Sequence, residues 1–303
     1  MVNIKDIISL HSLPVDTFEE LKSGYSSAKK YKLYSVGCKP LYLLKIYTIE
    51  KRDRVEREFE LLNKHYKNNV LCQKPIIFDF KKEEKICYVV LSYIDGTSGD
   101  TALATLGKDL QYEIGLQAGK ELRKIHLITP DNSFNWYKKR LDKYQNKIET
   151  CKRIGLTFYK QKFIESYINE NINLLKNSPI CFQHDDFHPQ NIIIKNKKLN
   201  GIIDFDSFDW GDPFEEFFKL PKYTIQTSTY FAKGQIMGYF DNKIPDIFWR
   251  KYNLFVALNQ HASQIGGYSM GNLKYVQERT RYIIETHDFL NNKPPEWFDN
   301  CNF

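Results

Sequence analysis

The sequence lacks the features that mark several large classes of protein. Its 303 residues include no low-complexity tract and no evident repeat. The longest apolar stretches, such as residues 87–91, are far too short to span a bilayer, so we predict no membrane partner. Residues 1–13 do not show the charged-then-apolar pattern of a secretion signal, which predicts a cytoplasmic protein.

Cysteine and basic residues are present but follow no functional pattern. None of the six cysteines belongs to a C-x-x-C pair, which predicts reduced thiols rather than a metal site. The 44 Lys and Arg residues exceed the 37 Asp and Glu residues, giving a formal charge of +7, but they are spread along the chain. A nucleic-acid partner would favour a concentrated basic patch, so we predict none.

The chain does have enough apolar and aromatic residues, 42% and 15% respectively, to build a large folded core. Residues 31–36 and 41–47 predict one pair of strands, and residues 75–80 and 86–93 predict another. A helix is predicted between the two pairs, at residues 51–65. The N-terminal third therefore predicts a β-rich lobe with one main helix.

The remainder of the chain is predicted to be mainly helical. The candidate helices span residues 109–128, 136–152, 156–177, 213–230, 234–240, 246–266 and 272–290. We therefore predict an α+β fold with two lobes, a small β-rich lobe at residues 1–94 and a larger, mostly helical lobe at residues 95–303.

The most informative stretch of the chain is residues 184–191, HDDFHPQN, followed by GIIDFD at residues 201–206. The apolar runs between Asn191 and Asp204 predict a β-hairpin that brings these two side chains together at one end. Phosphoryl transfer needs such a set, because Asp186 can accept the proton of a hydroxyl nucleophile. Mg²⁺ prefers oxygen ligands such as Asn191 and Asp204. The H-x-D-x-x-x-x-N spacing matches the catalytic loop of kinases.

A lysine and a glutamate in the first third fit the same chemistry. Lys45 lies within an apolar strand, where it must reach the surface or meet an anion. In the helix that follows, Glu58 falls on the same arc as Val55, Leu61 and Leu62. We therefore predict that Glu58 pairs with Lys45, as the phosphate-contacting pair of kinases does.

The chain resembles the aminoglycoside phosphotransferase and choline kinase-like family of small-molecule kinases, which have a protein-kinase-like two-lobed fold. The resemblance covers nearly the whole chain and is most specific from Ile180 to Leu220, where the catalytic loop, the Ile-Asp-Phe-Asp segment and Gly211-Asp212-Pro213 follow in family order. The segments Gly24–Ala28 and Val55–Glu58 also resemble the nucleotide loop and the conserved helix of these enzymes.

The resemblance implies a role for each matching position. Asp186 would be the catalytic base, with Asn191 and Asp204 as the Mg²⁺ ligands. The nucleotide, ATP or GTP, would be held by residues of the first lobe. Lys45 would contact its α- and β-phosphates with Glu58 as its partner, Ser26 and Ser27 would cover the phosphates, and the backbone of Ser92 and Ile94 would meet the purine.

The acceptor is predicted less directly. An aminoglycoside, and hence an antibiotic-resistance enzyme, is the first expectation, and choline, ethanolamine or another amino or sugar alcohol is the second. Acidic residues near the active end could attract a polyamine or could simply begin a helix: Asp185, Asp209, Asp212, Glu215 and Glu216. Aromatic residues of the second lobe could cage a quaternary ammonium or could be core: Trp210, Tyr230, Phe231, Tyr239, Phe240, Trp249, Tyr252 and Phe255.

Three alternatives stay open at this stage. A catalytically inactive kinase fold that binds a nucleotide or a partner would be expected to lose Lys45, Asp186, Asn191 or Asp204, and all four are present. A protein kinase is disfavoured because residues 205–213 leave little room for an activation segment and no G-x-G-x-x-G loop occurs. Asp206 could support the metal ligands or cap the following turn.

Overall fold

The structure is a computed structural model that describes residues 3–21, 28–35 and 39–301. The chain divides into two compact units. The first comprises Met1–Thr97, Ile193–Asn196 and Asn200–Asp206, and the second comprises Ser98–Ile192, Lys197–Leu199 and Ser207–Phe303. The main segment of the first unit ends close to the predicted boundary after residue 94, and two short later segments also belong to it.

The first unit is built on a five-stranded antiparallel sheet with strand order β1-β2-β3-β5-β4. Its elements are α1 (Ile4–Leu10), β1 (Thr17–Leu21), β2 (Lys29–Tyr34), β3 (Pro40–Thr48), a 3₁₀ turn (Ile49–Lys51), α2 (Arg52–Lys67), β4 (Pro75–Lys81) and β5 (Ile86–Ser92). The predicted strands and helix are therefore present. The sequence analysis missed α1 and β1, whose short lengths give little periodicity to detect.

The core of this unit lies on one face of the sheet. Leu33, Leu44 and Val90, from β2, β3 and β5, are fully buried, and Ile7 of α1 packs into the same cluster. Strand β5 is buried along six of its seven residues because both faces of the sheet are covered at this strand. Ile86, Tyr88 and Val90 share a cluster with α1, whereas Val89 and Leu91 lie near residues of α2 on the other face, so the run is continuously apolar rather than alternating.

The second unit is mainly helical. Its helices are α3 (Gly99–Leu103), α4 (Lys108–Ile125), α5 (Trp136–Arg153), α6 (Gln161–Asn171), α7 (Ile225–Thr227), α8 (Thr229–Tyr239), α9 (Ile247–Leu258), α10 (Gln260–Ser269), α11 (Leu273–Thr286) and α12 (Glu296–Asp299). Helices α4 and α8 approach closely because glycines line their contact. A Cβ atom at Gly119 would lie 2.1 Å from the backbone oxygen of Gln235, so only glycine permits this packing.

The short strands complete the description: β6 (Thr97–Ser98), β7 (Cys181–Gln183), β8 (Ile192–Lys195), β9 (Lys198–Ile202) and β10 (Asp209–Gly211). The predicted hairpin is β8 followed by β9. Asn196 and Lys197 at its tip both have positive φ, 52° and 61°, as a tight two-residue hairpin turn requires. The catalytic-loop sequence lies between β7 and β8.

Two predicted helices are wrong in detail. Residues 213–230 do not form one helix but a 3₁₀ turn (Glu215–Phe218), a π-helical turn (Leu220–Thr224) and α7. Pro221 lacks the backbone N–H that a continuous helix would need there. The predicted helix at residues 246–266 is divided into α9 and α10, which meet at Asn259.

The described residues bear on two predictions from the sequence, one about membrane-spanning helices and one about cysteines. Within them, no helix combines the length and the apolar character that crossing a bilayer requires. The five described cysteines are all free and buried: Cys72, Cys87, Cys151, Cys181 and Cys301. This agrees with the prediction of reduced, mostly buried thiols.

Candidate active site

Lys45 is the centre of a buried charge cluster in the first unit. Its side chain is on β3, and the residue is only 4% exposed. The Nζ atom donates to Oδ1 of Asp204 at 3.0 Å and to Oδ2 of Asp206 at 3.2 Å. The nitrogen of Lys30 lies 3.8 Å from the same oxygen of Asp204. Two carboxylates and two ammonium groups therefore meet at this point.

The charges in this cluster change one another's protonation. Burial alone would lower the pKa of Lys45, but the charges of Asp206 and Asp204 raise it above its usual range. Burial would raise the pKa of Asp204, but Lys45 and Lys30 hold it below its usual range. Burial raises the pKa of Asp206, and the neighbouring Asp204 raises it further. Lys45 is thus a firmly charged cation, and Asp204 is the carboxylate that stays ionised.

The predicted ion pair between Lys45 and Glu58 is not formed. Oε1 of Glu58 instead accepts a 2.7 Å hydrogen bond from Nε of Arg54, one helical turn earlier on α2. Nη2 of Arg54 also donates to the backbone oxygen of Asp206 at 2.7 Å. Burial raises the pKa of Glu58 to about 7. The helical arc correctly placed Glu58 on the inner side of α2, but it could not show that Arg54 competes for it.

In the second unit, Asp186 and Asn191 are bonded to each other. Nδ2 of Asn191 donates to both the backbone oxygen and Oδ2 of Asp186, each at 2.9 Å. The 3₁₀ turn Pro189–Asn191 brings the amide back toward the carboxylate. His188 is the second partner, with Nε2 lying 3.0 Å from Oδ1 of Asp186. The carboxylate is thereby fixed in place while remaining about one third exposed.

Nearby cations keep Asp186 ionised. Burial would raise the pKa of Asp186, but its hydrogen bond with His188 and the charge of Lys219 lower it to about 2. Nζ of Lys219 lies 3.7 Å from Asp186 and 3.6 Å from Asp185. Lys219 is itself buried, and the charges of Asp185, Glu216 and Asp186 raise its pKa although burial opposes this.

His184 and Glu216 hold the backbone of the catalytic loop in place through hydrogen bonds. Nδ1 of His184 accepts the backbone N–H of Asp186 at 3.3 Å, and the residue is fully buried. Glu216 accepts the backbone N–H of Asp185 at 3.1 Å. Asp185 has a φ of 55°, a left-handed conformation that Asp adopts more readily than most residues.

The remaining predicted nucleotide residues are placed as follows. Ser26 and Ser27 lie outside the described residues. The backbone N–H and oxygen of Ser92 are bonded to Lys74 and Gln73, at 2.8 and 3.0 Å. Those bonds leave Ser92 little freedom to meet a purine. Among the described residues, the backbone of Ile94 has no hydrogen-bond partner, and its contact with a purine stays a prediction.

Three residues near the site were missed by the sequence analysis in these roles: Arg54, as the partner of Glu58; Lys219, as the partner of Asp186; and Lys30, near Asp204. Asp206 was considered only as a metal support or a turn cap. A sequence signal existed only for Arg54, which is four residues before Glu58 on a predicted helix.

The oxygen ligands suit Mg²⁺ in kind. Because Nδ2 of Asn191 is used by Asp186, the amide oxygen of Asn191 is the atom left for a cation. Asp204 is ionised. Among the described residues, no group of three or more His, Cys, Asp or Glu side chains could hold a metal ion by itself. Each of these two side chains therefore offers an oxygen donor of the kind that Mg²⁺ prefers.

The comparison with protein families matches residues 17–251 to the phosphotransferase enzyme family, APH. Because this match covers more than half of the chain, the chain belongs to that family. Among curated proteins, no significant match exists. Membership of this family makes the chain a small-molecule phosphotransferase.

Several solved structures share its fold. The ADP-bound aminoglycoside phosphotransferase APH(2'')-Ib is 20% identical, with a TM-score of 0.65, and the match covers 92% of this chain and 98% of that one. The streptomycin–ATP complex of APH(2'')-IIa is 21% identical, with a TM-score of 0.64, covering 92% and 99%. The GDP complex of a mutant aminoglycoside 2'-phosphotransferase-IIIa is 16% identical, with a TM-score of 0.68, covering 96% and 98%. The predicted protein-kinase-like α+β fold is confirmed.

Proposed function

We propose that this protein transfers the γ-phosphoryl group of a nucleoside triphosphate to a hydroxyl group of a small molecule, with Asp186 as the base. The acceptor oxygen forms a bond to the γ-phosphorus, the bond to the β-phosphate oxygen breaks, the hydroxyl proton passes to Asp186, and the nucleoside diphosphate leaves. The observation that carries this proposal is the fixed, ionised carboxylate of Asp186 between His188 and Asn191.

The donor would be held by the first unit. Lys45 is a buried cation on a sheet, which suits contact with the α- and β-phosphates. Glu58, Asp206 and apolar side chains of β5 lie beside it around a cavity of about 30 Å³, which is too small to hold a nucleotide as it stands. The similar structures contain ADP, ATP or GDP, which supports a nucleotide donor without choosing between ATP and GTP.

Asn191 and Asp204 would hold Mg²⁺, which supplies charge neutralisation of the transferring phosphoryl group when bound. The chain's own residues have separate tasks. Asn191 orients the carboxylate of Asp186 through its amide N–H, and His188 and Lys219 keep that carboxylate ionised. Lys45 supplies a fixed positive charge, and Asp206 and Asp204 hold its side chain in place.

The acceptor class predicted from the resemblance is an aminoglycoside. The similar structures are named as aminoglycoside phosphotransferases, which gives the acceptor class of those proteins. For this chain the same class is a proposal. The choline alternative receives less support, because four of the eight aromatic residues proposed for a cage are core residues. Phe231, Tyr252 and Phe255 are fully buried, and Tyr239 is 8% exposed.

Transfer of radiolabelled γ-phosphate from ATP and from GTP to a panel of acceptors tests the proposal. The panel contains kanamycin, gentamicin, streptomycin, choline, ethanolamine, glucose and glucuronate. We expect Mg²⁺-dependent labelling of at least one acceptor and loss of that labelling in Asp186→Ala, with nucleotide binding retained. Full activity of Asp186→Ala would contradict the role of Asp186. Nucleotide binding without transfer to any acceptor would favour the inactive kinase fold.

A further inference from the structure

The acids that were expected to attract a polyamine are already neutralised inside the second unit. Their ion pairs are Asp185 with Lys219 (3.6 Å), Asp209 with Lys139 (2.9 Å) and Lys143 (3.5 Å), Asp212 with Lys251 (2.6 Å), and Glu215 with Arg140 (3.0 Å). The fifth acid, Glu216, is buried and accepts a backbone N–H. A cationic acceptor would therefore have to compete with a protein cation at four of these five positions.

The surface beside Asp186 has the opposite character. His188, which contacts Asp186, packs its ring against Tyr223 with the ring centres 5.4 Å apart. Lys222 lies over the same tyrosine, 5.0 Å from its ring centre. Lys219 is already paired with Asp185 and Asp186, and the segment that follows it, residues 220–227, contains one lysine and no carboxylate. The chain leading away from the catalytic carboxylate thus carries one further cation beside an exposed tyrosine.

Helix α11 continues this surface. Nε of Arg279 donates to the backbone oxygen of Pro221 at 3.0 Å, and the hydroxyl of Tyr275 donates to Gln226 at 2.6 Å. The guanidinium of Arg279 lies 4.5 Å from the ring centre of Tyr282. We call Lys222, Tyr223, Tyr275, Arg279 and Tyr282 the acceptor face.

The cations of the acceptor face lack acidic partners. Among the described residues, neither Lys222 nor Arg279 forms an ion pair with a carboxylate, whereas Arg281, on the same helix, pairs with Glu285 at 2.9 Å. The three tyrosines of the face, Tyr223, Tyr275 and Tyr282, are 41%, 52% and 40% exposed. Unmatched cations beside exposed rings can receive an anion joined to a ring.

From this arrangement, and on the basis of the proposed function, we propose that the natural acceptor carries an anionic group in addition to its hydroxyl. Lys222 and Arg279 bind the anionic group, the tyrosines pack against the acceptor's ring, and the hydroxyl points toward Asp186. A polycationic aminoglycoside would place its ammonium groups against these cations. The acceptor would therefore be a ring compound that bears a hydroxyl group and either a carboxylate or a phosphate group.

Three hexoses of the same ring form but different charge provide the test. Glucose is neutral, glucuronate carries a carboxylate, and glucosamine carries an ammonium group. Phosphorylation by the full-length protein is measured for each with radiolabelled nucleotide, and binding is measured by the shift in thermal unfolding. We expect glucuronate to be used and bound at least about tenfold better than glucose, and glucosamine less well than glucose.

Substitutions in the acceptor face test which residues cause the preference for glucuronate. Lys222→Gln and Arg279→Gln should each reduce the preference for glucuronate over glucose, measured as the ratio of the two kcat/KM values, by about tenfold. Arg281→Gln is the matched control, because at 100° per residue it lies on the opposite side of α11 and should leave the preference intact. Lys222→Gln keeps the test decisive if loss of the Arg279–Pro221 contact unfolds the other variant.

The outcomes separate this inference from the proposed function. Preference for glucosamine or kanamycin over glucuronate, or no preference and no binding among the three hexoses, would overturn the anionic acceptor. An unchanged preference in Lys222→Gln would also overturn it. The proposed function fails on a different result, namely phosphoryl transfer that survives in Asp186→Ala.

Discussion

The charge cluster around Lys45 and the one around Asp186 are built from the same groups with the roles reversed. In the first, one buried lysine is held by two carboxylates, and the acids raise its pKa. In the second, one carboxylate is held by a histidine and a lysine, which lower its pKa to about 2. Each cluster thus stabilises the charged form of its central residue.

The two clusters differ in the task that each would have. The carboxylates of Asp204 and Asp206 hold the ammonium group of Lys45 in place, and under the proposed function that group contacts the phosphate oxygens of a nucleotide. His188 and Asn191 each hold one oxygen of the Asp186 carboxylate, and that side chain stays about one third exposed. Under the proposed function, the first cluster positions a donor and the second receives a proton, and the two roles can be tested separately.

The largest expected effect comes from removing the central charge of the second cluster. Asp186→Asn keeps the shape of the side chain but cannot accept a proton, so we expect kcat to fall roughly a thousandfold. Nucleotide affinity, measured by isothermal titration calorimetry, should stay within about twofold. Asp185→Asn is the neighbouring control, because Asp185 also contacts Lys219 but belongs to no proposed catalytic step. Equal losses in the two variants would remove the distinction between them.

The next effect concerns the central charge of the first cluster. Lys45→Met should lower kcat/KM for the nucleotide by roughly a hundredfold, because a phosphate contact is lost. It should also lower the free energy of unfolding by about 3 kcal/mol, since Asp204 and Asp206 would lose their buried cation. Urea unfolding measures the second quantity. A variant with lost nucleotide binding but unchanged stability would show that the carboxylates do not depend on Lys45.

The fold and the catalytic loop could be predicted from the sequence because their signals are local. Strand runs, the tight turn of the β8–β9 hairpin and the spacing of Asp186 and Asn191 are all contained in short segments. The π-helical turn at Leu220–Thr224 could not be predicted in this way, because it depends on how the segment after Pro221 packs. Its consequence is large, since it carries Lys222 and Tyr223 beside the catalytic loop.

The partners of the charged groups could not be predicted, because they depend on contacts between distant segments. Periodicity placed Glu58 on the inner face of α2 but did not choose between Lys45 and Arg54 as its partner. Asp206 reaches Lys45 only through the conformation of the turn Phe205–Ser207. Likewise, a sequence shows that five acids are near the active end, but only the structure shows that they are paired.

A smaller effect distinguishes the two acids near Lys45. Because Asp206, and not Glu58, bonds Lys45 in the structure, Asp206→Asn should raise the nucleotide Kd by about tenfold. Glu58→Gln should raise it by no more than about twofold. Titration with a fluorescent nucleotide analogue measures both. A larger effect of Glu58→Gln would mean that the nucleotide-bound protein forms the kinase-type pair that this structure lacks.

The last prediction concerns stability rather than catalysis and tests whether burial, rather than pairing, sets the protonation of Glu216. Burial raises the pKa of Glu216 to about 7, although the charge of Lys219 opposes this. Between an unfolded-state pKa of about 4.3 and the folded-state value, the folded protein binds a proton that the unfolded chain releases, so stability falls as pH rises through this window. Glu216→Gln removes this dependence and can still accept the backbone N–H of Asp185.

We therefore expect Glu216→Gln and the wild type to differ little near pH 4. At pH 8 the variant should be more stable, with a gain on the order of 3 kcal/mol at most. Thermal unfolding followed across this range gives the measurement, and Glu278→Gln, at an exposed position of α11, serves as the control. A difference in stability between the variant and the wild type that is the same at all pH values would show that Glu216 stays ionised in the folded protein, paired with Lys219. Pairing alone would then set the charges in both clusters.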